Sequence, residues 1–402
     1  MQGRDPHEPH RVATPLELLF DLTFVVAFGV AASQFAHLLA EGHLAGALAG
    51  FCFATFAVSW AWINFSWFAS AYDTDDWVYR LTTMVQMVGV IILALGLPQL
   101  AASIARGGHL DNRIVVAGYV VMRIALVAQW LRAAYQDPAR RAACLTYAAA
   151  VAVAQVGWIA SIFVDTSVAV SLGIAAALAL VEMSGPLLAE RRMGGTPWHA
   201  HHIAERYGLL AIIALGEGVV GTVASLTAAV DELGWSTDTV LVAVAGTALT
   251  FGMWWVYFAA PFGPLLHERR ERSFTFGYLH IPVFGAIVAT GAGLHTAAYY
   301  IEHHSALGAT GTVLSVAVPV GVYVLLVGVS RVLLSGDHAA TAVISTTMSA
   351  VVLGAAVFAA AAGLPMAWCL LIVTAAPVLT VATRDWLVRR FARNGPRVSR
   401  PV

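Results

Sequence analysis

Long apolar segments separated by short polar ones make up most of the chain. An α-helix rises 1.5 Å per residue, so about 20 apolar residues cross the hydrocarbon core of a bilayer. About twelve segments reach this length, and they predict an all-α, polytopic integral membrane protein with about 12 transmembrane helices. The predicted limits are 16–40, 44–70, 80–104, 112–134, 141–163, 167–189, 203–229, 238–262, 274–299, 310–334, 339–362 and 365–391.

Composition agrees with this class. Hydrophobic residues make up 59% of the 402 residues and charged residues 11%, whereas soluble domains contain about 25% charged residues. A formal net charge of −1 argues against a nucleic-acid partner, which needs a basic surface. All 22 basic residues are arginine, which excludes a lysine Schiff base, and no cofactor is predicted. The three cysteines lie far apart in apolar segments and are expected to be packing thiols.

Arginine placement predicts the orientation. With the N-terminus in the cytoplasm, 19 of the 22 arginines fall in cytoplasmic segments. The exceptions are Arg106 and Arg113 in outer loops and Arg123 inside span 4. Cytoplasmic loops of membrane proteins carry an excess of basic residues. Both termini are therefore predicted to be cytoplasmic, and the polar N-terminal residues do not resemble a cleavable signal peptide.

The two halves of the chain show similar patterns. Glu17 in span 1 and Glu205 in span 7 occupy matching positions, and spans 2 and 8 both end in aromatic-rich segments followed by charged loops. Two repeats of six helices run parallel, because six is an even number of crossings. We therefore predict repeats at 1–190 and 191–402, divided near the Gly-, Pro- and Arg-bearing segment 190–202.

Span 1 contains two acidic residues, Glu17 and Asp21, one helical turn apart on the same face. A carboxylate at the bilayer centre costs about 3 kcal/mol on insertion scales, so such residues usually face a protein interior or a water-filled cavity. One interpretation is a protonatable pair that lines a transport pathway. The alternative is structural: Glu17 favours the positive end of the helix dipole, and Asp21 bonds a neighbouring helix.

Span 7 contains a second group of ionisable residues. Arg206 and Glu217 are eleven residues apart, about 16 Å along a helix, so they cannot pair with each other. We expect Glu205 or His202 to neutralise Arg206 locally, whereas Glu217 needs another partner. The glycines on either side of Glu217 are expected to thin or break the helix there, as in transporter helices that expose backbone to a site.

Three further polar residues lie within predicted spans. Arg123 in span 4 and Glu182 in span 6 are the remaining buried charges, and an interhelical ion pair of Arg123 with Glu182, Asp21 or Glu217 is the structural interpretation. Asn64 is an amide in an otherwise apolar, aromatic-rich span. We class Arg123, Glu182 and Asn64 as supporting residues.

The loop after span 2 carries Asp73, Thr74, Asp75 and Asp76 ahead of Arg80. Thr74 or Asp75 is expected to cap span 3, with acidic residues in its first turn, and a capping role is favoured for Asp75 and Asp76. Asp73 is expected to pair with an arginine of the other repeat. The loop lacks the glycine and the distal glutamate of a calcium-binding loop.

Histidines His199, His201 and His202 precede Glu205. His201 and Glu205 are four residues apart and so share a helix face, a spacing compatible with a divalent metal. The cluster lies at the predicted cytoplasmic surface and matches no established zinc motif. Protonation of these histidines near neutral pH is the preferred interpretation, and no metal site is predicted.

Three segments of the chain carry a resemblance to a known family. They are Glu17–Val25 (ELLFDLTFV), Tyr72–Asp76 (YDTDD) with Arg80 after it, and His202–Gly208 (HIAERYG), which runs on to Leu215–Glu217 (LGE). These segments resemble the bacterial low temperature requirement A (LtrA) family. The resemblance implies a multi-pass protein of the bacterial cytoplasmic (inner) membrane. It implies no particular reaction.

The favoured function is a secondary transporter or proton-linked permease, rather than an enzyme. Asp21 and Glu217 would be proton- or cation-responsive carboxylates, while Glu205, Arg206 and Arg123 would set their charge state. The alternatives are a cation channel of two six-helix repeats, an intramembrane enzyme acting on a lipid, and a sensor without turnover. The expected partners are the lipid bilayer and a small solute or ion; a homodimer remains open.

Overall fold

A computed structural model describes residues 1–8, 11–335 and 339–394. In these ranges the chain forms thirteen α-helices, two single 3₁₀ turns and no β-strand. The helices are α1 (Pro15–Ala40), α2 (Leu44–Tyr72), α3 (Trp77–Arg106), α4 (Arg113–Gln136), α5 (Arg141–Ser161), α6 (Val168–Arg192), α7 (Ala200–Leu233), α8 (Thr237–Phe258), α9 (Phe262–Glu268), α10 (Ser273–Ile301), α11 (Ala309–Ser335), α12 (Ala339–Ala361) and α13 (Met366–Asn394).

Twelve of these helices, all except α9, are long and apolar enough to cross a membrane. The predicted all-α, multi-pass architecture is thus confirmed. The expected break near Glu217 is wrong, because α7 runs without interruption through Gly216 and Gly218. Glycine inside a helix costs only about 1 kcal/mol relative to alanine, which the remaining backbone hydrogen bonds of a long helix can offset.

The chain divides into two compact units. The first unit comprises Met1–Glu217 and Phe262–Val288, and the second comprises Gly218–Pro261 and Ala289–Val402. The two six-helix repeats at 1–190 and 191–402 remain a prediction. Arg397 and Arg400, which contribute to the predicted excess of cytoplasmic arginine, lie outside the described residues.

In the first unit, α1 packs on α2 and α3, and α3, α4, α5 and α6 pack in sequence. The crossing of α3 and α4 is close because glycines face each other there. A Cβ atom added to Gly89 would lie 2.7 Å from the backbone oxygen of Gly118. Small residues at helix crossings allow such close approach in membrane proteins, where dispersion forces and polar contacts replace the hydrophobic effect.

In the second unit, α13 packs on α8 and α12, and α11 packs on α12. Side-chain hydroxyls bond backbone carbonyls of neighbouring helices. Tyr323 donates to the carbonyl of Met253 at 2.7 Å, and Thr374 donates to that of Ala245 at 2.9 Å. These bonds satisfy polar groups inside apolar helices without introducing charge.

The start of α3 confirms the capping role predicted for Asp76. Its N-cap is Asp76, whose Oδ1 accepts the backbone N–H groups of Val78 and Tyr79, both at 3.0 Å. Neither Thr74 nor Asp75 occupies this position. A hydrogen bond and ion pair with Arg132 of α4 holds the pKa of Asp76 below its usual range. The cap therefore also links α3 to α4.

Candidate functional site: the ion cluster of α1 and α7

Helix α1 begins with a capping box that positions the first acidic residue. Thr14 Oγ1 accepts the backbone N–H of Glu17 at 3.3 Å, and Glu17 Oε2 accepts the backbone N–H of Thr14 at 2.7 Å. The Thr-x-x-Glu pattern in the sequence is the signature of this cap. Asp21 follows one turn further along the helix. Both acidic side chains are completely buried.

Arg206 of α7 binds both of these carboxylates. Its Nη1 lies 2.8 Å from Glu17 Oε1, and its Nη2 and Nε lie 2.5 and 3.3 Å from the two oxygens of Asp21. All three side chains have no exposed surface. The expected neutralisation of Arg206 by Glu205 or His202 is therefore wrong. A guanidinium carries five donors in a planar fork, so one arginine can serve two carboxylates.

Two further side chains complete the inner part of the cluster. Trp62 of α2 donates its indole N–H to Asp21 Oδ1 at 2.6 Å, and Arg206 lies over the Trp62 ring at 5.5 Å. His202 Nε2 lies 3.3 Å from Glu17 Oε2. The sequence did not single out Trp62 within the aromatic-rich part of span 2. The N–H of a buried tryptophan usually finds a hydrogen-bond acceptor, and that tendency was the available signal.

The N-terminal segment extends the cluster with Arg11, which lies 3.8 Å from Glu17 and 3.4 Å from Asp73. Asp73 was expected to pair with an arginine of the other repeat, and that expectation is wrong. Asp73 pairs instead with Arg11, which the fold brings next to it, and both side chains are nearly completely buried. Burial, together with the nearby carboxylate of Glu17, raises the pKa of Asp73, while Arg11 opposes this shift.

Charges in the cluster nearly balance. Three carboxylates (Glu17, Asp21 and Asp73) meet two guanidiniums (Arg11 and Arg206), so the five groups sum to −1 when all are ionised. One proton, on His202 or on a carboxylate, makes the cluster neutral. Buried charges are tolerated only when they are paired and hydrogen-bonded. The cluster therefore links α1 to α7 through buried ion pairs. Its net charge is zero when it binds one proton.

Glu217 has very different surroundings. Its side chain is 8% exposed and faces α1, where a Cβ atom added to Gly29 would lie 2.9 Å from Glu217 Oε1. No hydrogen bond or ion pair joins Glu217 to any side chain in the described part of the chain. Gly29 leaves space for the carboxylate, and no described arginine or histidine forms an ion pair with it.

A second buried ion pair connects α4 with α6. Arg123 Nη2 lies 2.9 Å from Glu182 Oε1, as the structural interpretation of Arg123 predicts. Tyr119 donates to Glu182 Oε2 at 2.8 Å and accepts from Arg123 Nη2 at 2.6 Å. Both charged side chains are 1% exposed. This pair does not contact the α1–α7 cluster through any described hydrogen bond.

The other predicted residues lie outside the cluster. Asn64 donates to the carbonyl of Trp60 on its own helix at 2.8 Å, and Arg80 forms an exposed ion pair with Asp75 at 2.7 Å. Glu205 is half-buried. None of these three contacts Arg206 in a described ion pair.

The three histidines near the start of α7 point to different partners. His199 contacts the carbonyl of Glu8, His202 contacts Glu17, and His201 lies against the ring of His267 at 5.3 Å. Within the described residues there is no group of three or more His, Cys, Asp or Glu side chains that is placed to hold a metal ion.

Comparison with known proteins places the chain in a family. The family model described as bacterial low temperature requirement A protein (LtrA) matches residues 12–382. The chain belongs to the LtrA family. An uncharacterized protein of Rhizobium meliloti (strain 1021) is 27% identical over 305 residues, which cover 69% of this chain and 67% of that protein. No solved structure matches the chain.

The family match spans both the α1 acidic residues and the α7 residues that bind them. The resemblance inferred from ELLFDLTFV, YDTDD and HIAERYG is thereby confirmed. Together with the twelve apolar helices, it establishes a multi-pass membrane protein of the LtrA family.

Proposed function

We propose that this LtrA protein is a secondary transporter or proton-linked permease in which Glu217 is the protonation site. The observation that carries the proposal is a buried carboxylate on a membrane-spanning helix without a hydrogen-bonding or charged partner among the described residues. A buried ionised carboxylate without a cation is costly. The neutral acid is favoured while the site is closed, and the carboxylate is favoured when water or a cation reaches it.

In this proposal the α1–α7 cluster has a supporting role. Arg206 already satisfies Asp21 and Glu17, so Asp21 is a positioning residue rather than a proton acceptor. Because Gly29 and Asp21 lie on the same helix, the cluster also holds the backbone against which Glu217 packs. Movement of α1 relative to α7 would change access to Glu217 and the contacts of Arg206 together.

Proteoliposomes with an entrapped pH-sensitive dye test the proposal. A potassium gradient with valinomycin imposes a membrane potential, and proton entry is recorded with and without a panel of amino acids, sugars and monovalent cations. We expect a protein-dependent flux that Glu217→Gln reduces about tenfold or more. The matched control is Glu232→Gln, because Glu232 is an exposed acidic residue at the other end of α7.

Infrared difference spectroscopy provides a readout that needs no substrate. Titration of the reconstituted protein should reveal a protonated carboxylic acid band that is absent from Glu217→Gln and present in Glu232→Gln. If both variants keep this band and the same flux as the wild type, Glu217 is not the protonation site. Flux that stays ohmic and uncoupled from every second solute would favour the cation channel instead.

We also propose that the protein lies in the cytoplasmic (inner) membrane with both termini in the cytoplasm. The arginine distribution supports this orientation. Fusions of a cytoplasmically fluorescent reporter and of a periplasmically active phosphatase to the C-terminus test it. Phosphatase activity of the C-terminal fusion would reverse the proposed orientation.

A further inference from the structure

A cleft in the first unit lies between α2, α4, α5 and α6, away from the ion cluster. Its volume is about 520 Å³, within the range of small-molecule sites. Its walls are formed almost entirely by alanine, leucine, valine, phenylalanine and methionine side chains. We propose that this cleft binds one acyl chain of a membrane phospholipid, whose headgroup lies at the end of the cleft near the start of α4.

The cleft is elongated along the helices. On α2 its lining residues recur at Ala49, Phe53 and Ala57, which share one face and span about 12 Å. On α6 the lining extends from Leu172 to Met183, about 16 Å. The hydrocarbon core of a bilayer is about 30 Å thick, so one leaflet accounts for about 15 Å. The cleft therefore matches the length of hydrocarbon in a single leaflet.

The cleft opens toward the surroundings of the helices. Leu180 on its rim is 69% exposed, and Cys52 is exposed as well. In the apolar 18-residue stretch of α6 only 17% of the residues are buried, compared with 83% in the span that contains α10. In a membrane-spanning helix such an exposed apolar face contacts lipid. A ligand that arrives from the membrane reaches this cleft without crossing water.

Charge in the wall is already neutralised. Tyr119 lines the cleft, and its hydroxyl group binds both Glu182 and Arg123, which pair with each other at 2.9 Å. Both side chains of the ion pair are only 1% exposed, so the pair presents no free charge to a molecule in the cleft. These features favour a hydrocarbon chain over a charged or strongly polar ligand.

The end of the cleft near the start of α4 is polar. Asn112 and Ser161 form a 3.3 Å hydrogen bond in a small adjoining cavity, which shares Trp158 and Ala175 with the cleft. The Trp158 indole N–H is buried without a hydrogen-bond partner. Arg113, the first residue of α4, is exposed and has no described ion-pair partner. This order of apolar groove, neutral hydrogen-bonding groups and cation matches an acyl chain, its ester linkage and a phosphate.

Native mass spectrometry of protein purified with graded delipidation tests the proposal. The wild type should retain one phospholipid after bulk lipid is lost. Ala176→Trp places an indole in the cleft, since Ala176 lines it, and should lower phospholipid occupancy about tenfold. Ala177→Trp is the matched control, because Ala177 is also exposed on α6 but does not line the cleft. Equal retention by both variants would overturn the proposal, as would retention of a lipid without phosphate.

Cys52 gives an independent test that does not depend on how a bulky variant folds. It is the exposed cysteine of the three, because Cys144 and Cys369 are buried. In mixed micelles, added phospholipid should slow the reaction of Cys52 with a small thiol reagent about fivefold. The control is a Cys52→Ala, Ala177→Cys double variant, in which the thiol lies on the lipid-facing surface outside the cleft. Equal slowing of both thiols would mean that lipid acts as a general solvent and not as a bound ligand.

Headgroup recognition is tested with a pair of arginine variants. Arg113→Gln should weaken phospholipid retention about fivefold, which is the effect of losing one exposed phosphate contact of about 1 kcal/mol. Arg106→Gln is the control, since Arg106 is exposed at the neighbouring end of α3 and does not precede the cleft-lining residues. Equal weakening in the two variants would contradict a phosphate site at Arg113.

Discussion

Asp21 and Glu217 are both buried carboxylates of the first unit, and each lies on a membrane-spanning helix. Asp21 accepts hydrogen bonds from the guanidinium of Arg206 and from the indole N–H of Trp62. Glu217 accepts none from a described side chain and faces Gly29. Asp21 is therefore held by fixed hydrogen-bond donors, whereas Glu217 lacks such donors among the described residues. The contrast shows that burial alone does not distinguish these two acids; the presence or absence of a fixed partner does.

The largest effect should come from the arginine that serves the paired acids. Arg206→Gln leaves Asp21 buried without its cation and Glu17 with Arg11, at 3.8 Å, as its remaining arginine partner, and breaking such a buried pair costs about 3–5 kcal/mol. We expect a large fall in the midpoint of chemical unfolding in detergent micelles. The control is Arg80→Gln, which removes an exposed ion pair with Asp75 and should leave the midpoint unchanged. Equal midpoints for the two variants would mean that the cluster does not stabilise the fold.

Neutralising the two carboxylates should affect the stability of the protein differently. Asp21→Asn weakens charged hydrogen bonds with Arg206 and Trp62, which should cost about 2 kcal/mol. Glu217→Gln removes a charge without a fixed partner, so stability should stay the same or rise. The same unfolding measurement checks both variants. A loss of stability in Glu217→Gln as large as that in Asp21→Asn would reveal a partner of Glu217.

Space around Glu217 can be tested from the facing helix. Gly29→Ala places a methyl group 2.9 Å from Glu217 Oε1, and the required shift should cost about 1 kcal/mol. In a Glu217→Ala background the cost should disappear, because contacting residues are not additive. Gly216→Ala is the control: its added methyl group meets no atom within 4 Å, and it should stabilise α7 slightly. If the effects of Gly29→Ala and Glu217→Ala on stability are additive, the two residues are not in contact.

The smallest effect concerns pH at the N-terminal segment. His199 Nδ1 accepts the backbone N–H of His202, so Nε2 carries the proton and donates to the carbonyl of Glu8 at 2.9 Å. Burial lowers the pKa of His199 below its usual value of 6.5. The unfolded state then binds more protons as pH falls through 6.5, so acid should weaken this attachment, by less than about 1 kcal/mol.

Hydrogen exchange of residues 1–8 at several pH values measures this attachment. After correction for the intrinsic exchange rate, which itself falls with pH, the protection of these amides should decrease between pH 7.5 and 5.5 in the wild type. His199→Gln should remove most of this pH dependence. A wild-type profile that is flat over this range would contradict the assignment of the His199 proton.

Several features of the site follow directly from local sequence. Thr14 and Glu17 show the capping-box spacing, and the separation of eleven positions between Arg206 and Glu217 excludes their direct pairing. The ion pair of Arg123 was also expected, although its partner was left open among three acidic residues. In contrast, the roles of Arg11 and Trp62 were missed. Their contacts join helices or segments that are distant in the sequence, and no local pattern encodes such contacts.

The sequence by itself determined that the chain crosses the membrane about twelve times and that it belongs with the LtrA proteins, because apolar length and short motifs are local properties. Only the tertiary structure decided which acid is paired and which is not. Asp21 and Arg206 are separated by 185 residues and meet only because α1 packs beside α7. Glu217 lies on the same helix as Arg206 but faces a glycine. In a low-dielectric interior these partners determine what a carboxylate can do, and the partners are set by packing.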